Sequence, residues 1–169
     1  IPSLRTIPKD QPMRWAVFAC SFVTPPGFTY SDFELNSGDI AFKFESEKGA
    51  RLTIRQVYPG DLALQRRGLA DWLYSPPFKE RLARRTVSGP HQITVESFGE
   101  RLEGVLRRGK KTLRTLLRFV VYRRFIDAVV FDQGQNRLCY ADCESRKRPD
   151  EELLKETLAT MNWHAREPR

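Results

Sequence analysis

Apolar and polar residues alternate along most of this chain, with a period of two. Trp15 to Val23 reads as one strand, with Phe18, Cys20 and Phe22 on one face and Val17, Ala19 and Ser21 on the other. Thr24-Pro25-Pro26-Gly27 ends it, because two prolines remove ladder donors and Gly27 permits a turn. Phe33 and Leu35 alternate with Asp32, Glu34 and Asn36, a short second strand closed by Ser37-Gly38-Asp39. Ile40, Phe42 and Phe44 then alternate with Ala41, Lys43 and Glu45. Leu52 and Ile54 do the same with Arg51, Thr53 and Arg55, and Glu47-Lys48-Gly49 joins the two runs as the clearest hairpin.

After Pro59-Gly60-Asp61 the period changes. Asp61 is the expected N-cap of a helix whose face carries Leu62, Leu69, Trp72 and Leu73, with Gly68 weakening its middle. Ser75-Pro76-Pro77 stops it, and a short helix over Phe78 to Arg85 is a further expectation. Ile93 and Val95, then Leu102, Gly104 and Leu106, read as a strand pair. Leu113, Leu116, Leu117, Val120 and Val121 fall on a helical stripe, yet Phe119 to Tyr122 is β-branched and aromatic, so helix and strand compete there. Phe125 to Phe131 and Arg137 to Cys143 form a hairpin around residues 132–136. The chain closes on a helix capped by Asp150, with Glu151 and Glu152 in its first turn and a stripe of Leu153, Leu154, Leu158 and Met161. Adjacent strands with hairpin-length joins, in place of βαβ alternation, predict an α+β fold: an antiparallel β-sheet with helices packed on it. Residues 1–13, with three prolines, read as an extended N-terminal arm, and 14–169 as a single domain.

Charge alters this picture in one place. Arg101 to Arg124 holds nine bases and one acid, an excess that equals the net charge of +8 of the whole chain. Arg107, Arg108, Lys110, Lys111, Arg114 and Arg118 are therefore the candidate anion-binding residues, toward nucleic acid or lipid head groups. The competing reading is a solvated surface balanced by acids elsewhere, with Asp150, Glu151, Glu152 and Glu156 of the last helix as the obvious counter-charges. Few rings interleave with the basic run, so base stacking is not expected.

Chemistry beyond charge is thin. Cys20, Cys139 and Cys143 are an odd set, which argues against a disulfide framework and favours a cytoplasmic setting, with a processed or secreted form left open. On a strand, positions 139 and 143 stand about 13 Å apart, too far for one metal ion or one disulfide. The two histidines, His91 and His164, read as exposed, and Asp127 and Asp132 read as hairpin-turn residues. Trp72 reads as core, while Trp15 and Trp163 stand where they could close the core together. No nucleophile elbow, phosphate loop, dinucleotide fingerprint or zinc-helix motif is present. No cofactor or metal is expected. The sequence leans toward a binding or adaptor domain, with a protein partner, and away from a small carboxylate-dependent enzyme.

The order of features resembles the Mog1/PsbP-like family, which includes DcrB-type proteins. The likeness rests on Phe22-Val23-Thr24-Pro25-Pro26-Gly27-Phe28, on Gly38-Asp39-Ile40 opening a hairpin, and on a helix with Leu69 to Leu73. It continues in a late hairpin bearing Asn136-Arg137-Leu138 and a last helix closing at Trp163, over roughly residues 15–163. The resemblance implies a non-enzymatic α/β/α sandwich used as a binding module. Members of that family serve as photosystem subunits, GTPase-binding factors, secretion chaperones and lipoproteins. The basic segment 101–124, Gly104 and the 112–122 stretch depart from the family pattern.

Overall fold

The computed structural model describes residues 11–17, 20–74, 84–114, 120–147 and 149–163. Among the described residues seven antiparallel strands make the main sheet, in the order β3 (Phe28–Asn36), β4 (Asp39–Ser46), β5 (Arg51–Val57), β9 (Arg137–Ser145), β8 (Val120–Asp132), β7 (Glu100–Arg114) and β6 (Arg84–Ser97). A smaller sheet sets β2 (Cys20–Thr24) between β1 (Met13–Val17) and β10 (Asn162–Trp163). Among the described residues the helices are α1 (Gly60–Leu64), α2 (Leu69–Tyr74) and α3 (Glu151–Ala159). The expectation of an antiparallel, hairpin-built α+β fold holds. Among the described residues no helix is long and apolar enough to cross a membrane.

Period-two alternation sorts the central strands onto two faces. Ile126, Ala128 and Val130 of β8, with Cys139, Ala141 and Cys143 of β9, meet Leu154 and Leu158 of α3 and Cys20 and Phe22 of β2. The other face carries Val129, Leu138, Tyr140 and Val105, which pack on Trp72 and Leu73 of α2. Nearly every residue of β9 is therefore buried, which is why that run shows so little solvent-facing polarity.

Several elements differ from the sequence reading. The single strand expected over Trp15 to Val23 is a tight hairpin, with Trp15 opposite Phe22 and Val17 opposite Cys20; Phe18 and Ala19 lie outside the described residues. Each arm keeps the period of two on its own, but the register sets Trp15 and Phe22 on one face, so the phase of the alternation reverses between the arms, which a single-strand reading misses. Phe33 and Leu35 sit in a longer strand than expected, on a sheet edge, and both are more than half exposed. The helix of residues 62–73 is two short helices. Gln65 (φ 50°) and Arg66 (φ 64°) take left-handed backbone between them, Pro59 and not Asp61 is the first N-cap, and Leu62 points to solvent.

Further along, Arg84 and Arg85 belong to β6; the rest of the proposed helix, 78–83, lies outside the described residues. In the contested stretch the strand reading holds for what is described: Leu113 pairs with Val121 and Arg114 with Val120. Trp15 and Trp163 flank β2 on opposite sides, and Trp15 stacks on Phe22 at 6.4 Å. The last helix forms as expected, with the Asp150 carboxylate accepting the Glu152 backbone N–H at 3.0 Å.

Candidate functional site

A run of charges on a strand cannot make one surface, because successive side chains point to opposite faces. The six candidate anion-binding residues are distributed accordingly. Arg107, on the α2 face, is only 4% exposed. Its Nε and Nη2 donate to the two carboxylate oxygens of Asp127 at 3.0 and 2.6 Å, and its guanidinium lies over the rings of Tyr74 and Phe125 at 5.3 and 5.4 Å. It is an internal cation, enclosed by the fold and inaccessible to a phosphate. Asp127, expected in a turn, is instead wholly buried in the middle of β8.

Arg108, on the opposite face, pairs with Glu151 at the start of α3, so the acidic helix does supply a counter-charge. Lys111 Nζ donates to both oxygens of Glu144 at 2.9 and 3.2 Å. Lys110 is exposed and meets no acid among the described residues. Arg114 is placed on β7 opposite Val120, and Arg118 lies outside the described residues.

The α2 face also carries a polar cleft of about 270 Å³, lined by Asp32, Lys43, Thr53, Lys111, Asp142 and Glu144 among others. Its charges are mostly matched in pairs: Lys43 with Asp32 and Glu34, Arg51 with Glu45, Lys111 with Glu144. The Lys43 hydrogen bond, ahead of the Arg55 contacts, holds the Glu34 carboxyl below its usual range. Asp142 and Glu144 share this face, but the ammonium on Glu144 makes that carboxylate a counter-ion and not a general base. Asp132 combines two roles. It accepts from the Gln135 N–H of the turn at 3.0 Å, as expected, and also from buried Arg137 at 3.1 Å.

The cysteines are free and buried. Burial pushes the Cys20 thiol up to about 11 and those of Cys139 and Cys143 up to about 12, which opposes thiolate chemistry. Among the described residues no group of three or more His, Cys, Asp or Glu side chains could hold a metal. His91 is exposed, with Nε2 2.8 Å from the Ser88 hydroxyl; His164 lies outside the described residues.

A concavity larger than the polar cleft lies on the opposite face of the sheet, and the sequence reading does not anticipate it. A cavity of about 730 Å³ opens at the end of the sheet where β9 runs into α3. Three segments wall it: Pro26 to Thr29 at the turn into β3, Ser46 to Ala50 at the turn into β5, and Cys143 to Leu153. Phe28, Ala50, Cys143, Pro149 and Leu153 give it a mainly carbon surface, with buried Cys143 its deepest-set residue by exposure. The charged groups Glu47, Lys48, Arg146, Lys147 and Asp150 are all exposed at its margin. These segments are far apart in sequence, so no local motif marks the site. The closest signal is the Pro25-Pro26-Gly27-Phe28 turn.

No protein-family model matches this chain, and no curated protein matches it. A solved structure from Bacteroides thetaiotaomicron VPI-5482 is similar over 87% of this chain, at 14% identity and a TM-score of 0.45. The chain spans 46% of the length of that structure, and no activity follows from a likeness of that size.

Proposed function

We propose that this chain is a non-catalytic binding domain with a Mog1/PsbP-like α/β/α arrangement, and that its ligand enters the cavity between the turns into β3 and β5 and the start of α3. One observation carries the reading: a carbon-lined space of about 730 Å³, open to solvent, where the core ends. Ligand sites are concave, mostly apolar and about 300–1,000 Å³ in size. Two features add support. The described carboxylates of the polar cleft serve largely as counter-ions, and the thiols are protonated at neutral pH. The packing of α2 on one face and of α3 with the small sheet on the other suits the sandwich.

Titration with the neutral fluorescent dye Nile red tests this. Wild-type protein is expected to bind the dye saturably. Ala50→Trp, which fills the cavity from a position where only the backbone is hydrogen-bonded to Ser46, is expected to abolish binding without loss of the fold. Failure of the wild type to bind, or equal binding by the filled variant, overturns the reading.

A further inference from the structure

The strand register gathers cationic positions at the same end of the sheet as the cavity. Arg85, Lys110 and Arg124 lie directly opposite one another on β6, β7 and β8, and Arg124 is opposite Ser145, a residue of the cavity wall. The row on the α2 face repeats the pattern with Arg84, Lys111 and Arg123. Like charges directly across a ladder repel, so the Lys110–Arg124 and Lys111–Arg123 pairs are each maintained at a cost unless an anion sits on them. In the α2-face row Glu144 answers Lys111, and Arg123 donates to the Gly49 carbonyl at 3.0 Å. In the other row Lys110 and Arg124 are exposed and meet no acid among the described residues. This is the face that carries Cys143, Ile126 and the cavity. Arg146 and Lys147 extend the cations to the cavity margin, where both acids are already engaged, Asp150 by the backbone of α3 and Glu47 in an interaction of its own.

We infer that the cavity takes an anionic amphiphile: a single hydrocarbon chain in the carbon-lined space, with its acid head on Lys110, Arg124 and Arg146. This rests on the binding reading above and adds the ligand class to it. An apolar cavity alone selects no charge, and a basic row alone selects no chain. Their meeting at one end of the sheet selects both. A nucleic acid would use the cations and leave the cavity empty.

The test compares dodecanoate, held below its micelle concentration, with dodecanol, on wild-type protein and on Arg124→Gln/Arg146→Gln, each checked for fold by circular dichroism. Three exposed contacts of modest strength predict that the wild type prefers dodecanoate about tenfold, with the preference shrinking in added salt. The double variant is expected to lose that preference while binding dodecanol unchanged. Equal affinity for acid and alcohol overturns the inference and leaves the binding reading standing. Binding of neither overturns both. A third arm mixes the protein with phosphatidylglycerol or phosphatidylcholine vesicles. Capture by the anionic vesicles, with no affinity for dissolved dodecanoate, assigns the cations to a membrane surface and overturns the inference.

Discussion

Arg107 and Asp127 stand directly opposite each other on β7 and β8, joined by two parallel hydrogen bonds of 3.0 and 2.6 Å in a setting that leaves both almost without solvent. A desolvated pair of this kind adds little over a well-packed apolar pair. Removing one member, however, strands the other charge. Asp127→Ala is therefore expected to cost about 3–5 kcal/mol of unfolding free energy. Arg107→Met combined with Asp127→Leu should cost less than Asp127→Ala alone. Urea denaturation of the three proteins checks this, and a double variant worse than the single one contradicts it.

The three thiols give the chain an alkaline weakness. Their folded pKa values lie above the usual 9.0, at about 11 for Cys20 and about 12 for Cys139 and Cys143, chiefly because burial penalises the thiolate. Between those limits the unfolded chain has lost protons that the folded chain keeps, so stability falls as pH rises. The contribution is whole below about pH 9 and drains away toward pH 12, each thiol adding a slope of up to about 1.4 kcal/mol per pH unit. Melts of the wild type and of Cys139→Ala across that range measure it; the variant should show the shallower decline. Native protein at pH 8 should also react with a thiol reagent far more slowly than unfolded protein.

Gly104 marks a place where β7 leaves no room for a side chain. A Cβ built there would stand 2.5 Å from Val130 Cγ1 and 2.6 Å from the Val129 carbonyl oxygen. Gly104→Ala forces the strands to shift and should cost about 1–3 kcal/mol. Phe33→Lys, on the exposed edge strand, should change stability by no more than about 0.5 kcal/mol. Chemical denaturation of the two variants gives the contrast, and equal effects would refute it.

Local alternation was enough to read the β4–β5 and β8–β9 hairpins, though not the one formed by β1 and β2. Ile40, Phe42 and Phe44 against Leu52 and Ile54 carry their register openly, and Asp150 announces α3. What stayed hidden depends on neighbours distant in sequence. A strand pattern assigns charges outward, so it cannot show that Arg107 and Asp127 satisfy each other inside the α2 face. Two left-handed residues, Gln65 and Arg66, split a helix that the apolar spacing runs together. The basic segment was visible as composition, but only the register divides it between two faces and sets Arg85, Lys110 and Arg124 in line. The cavity was invisible because no two of its walls are adjacent in sequence.

The most direct measurement is a backbone amide NMR titration of the protein with dodecanol, which asks only whether the cavity is where an apolar ligand sits. The largest shifts are expected at Thr29, Ala50, Ser145 and Leu153, all cavity-wall residues, with Gln92 and Thr94 on β6 unmoved. Shifts clustered on the α2 face, or none at saturating dodecanol, would contradict the account.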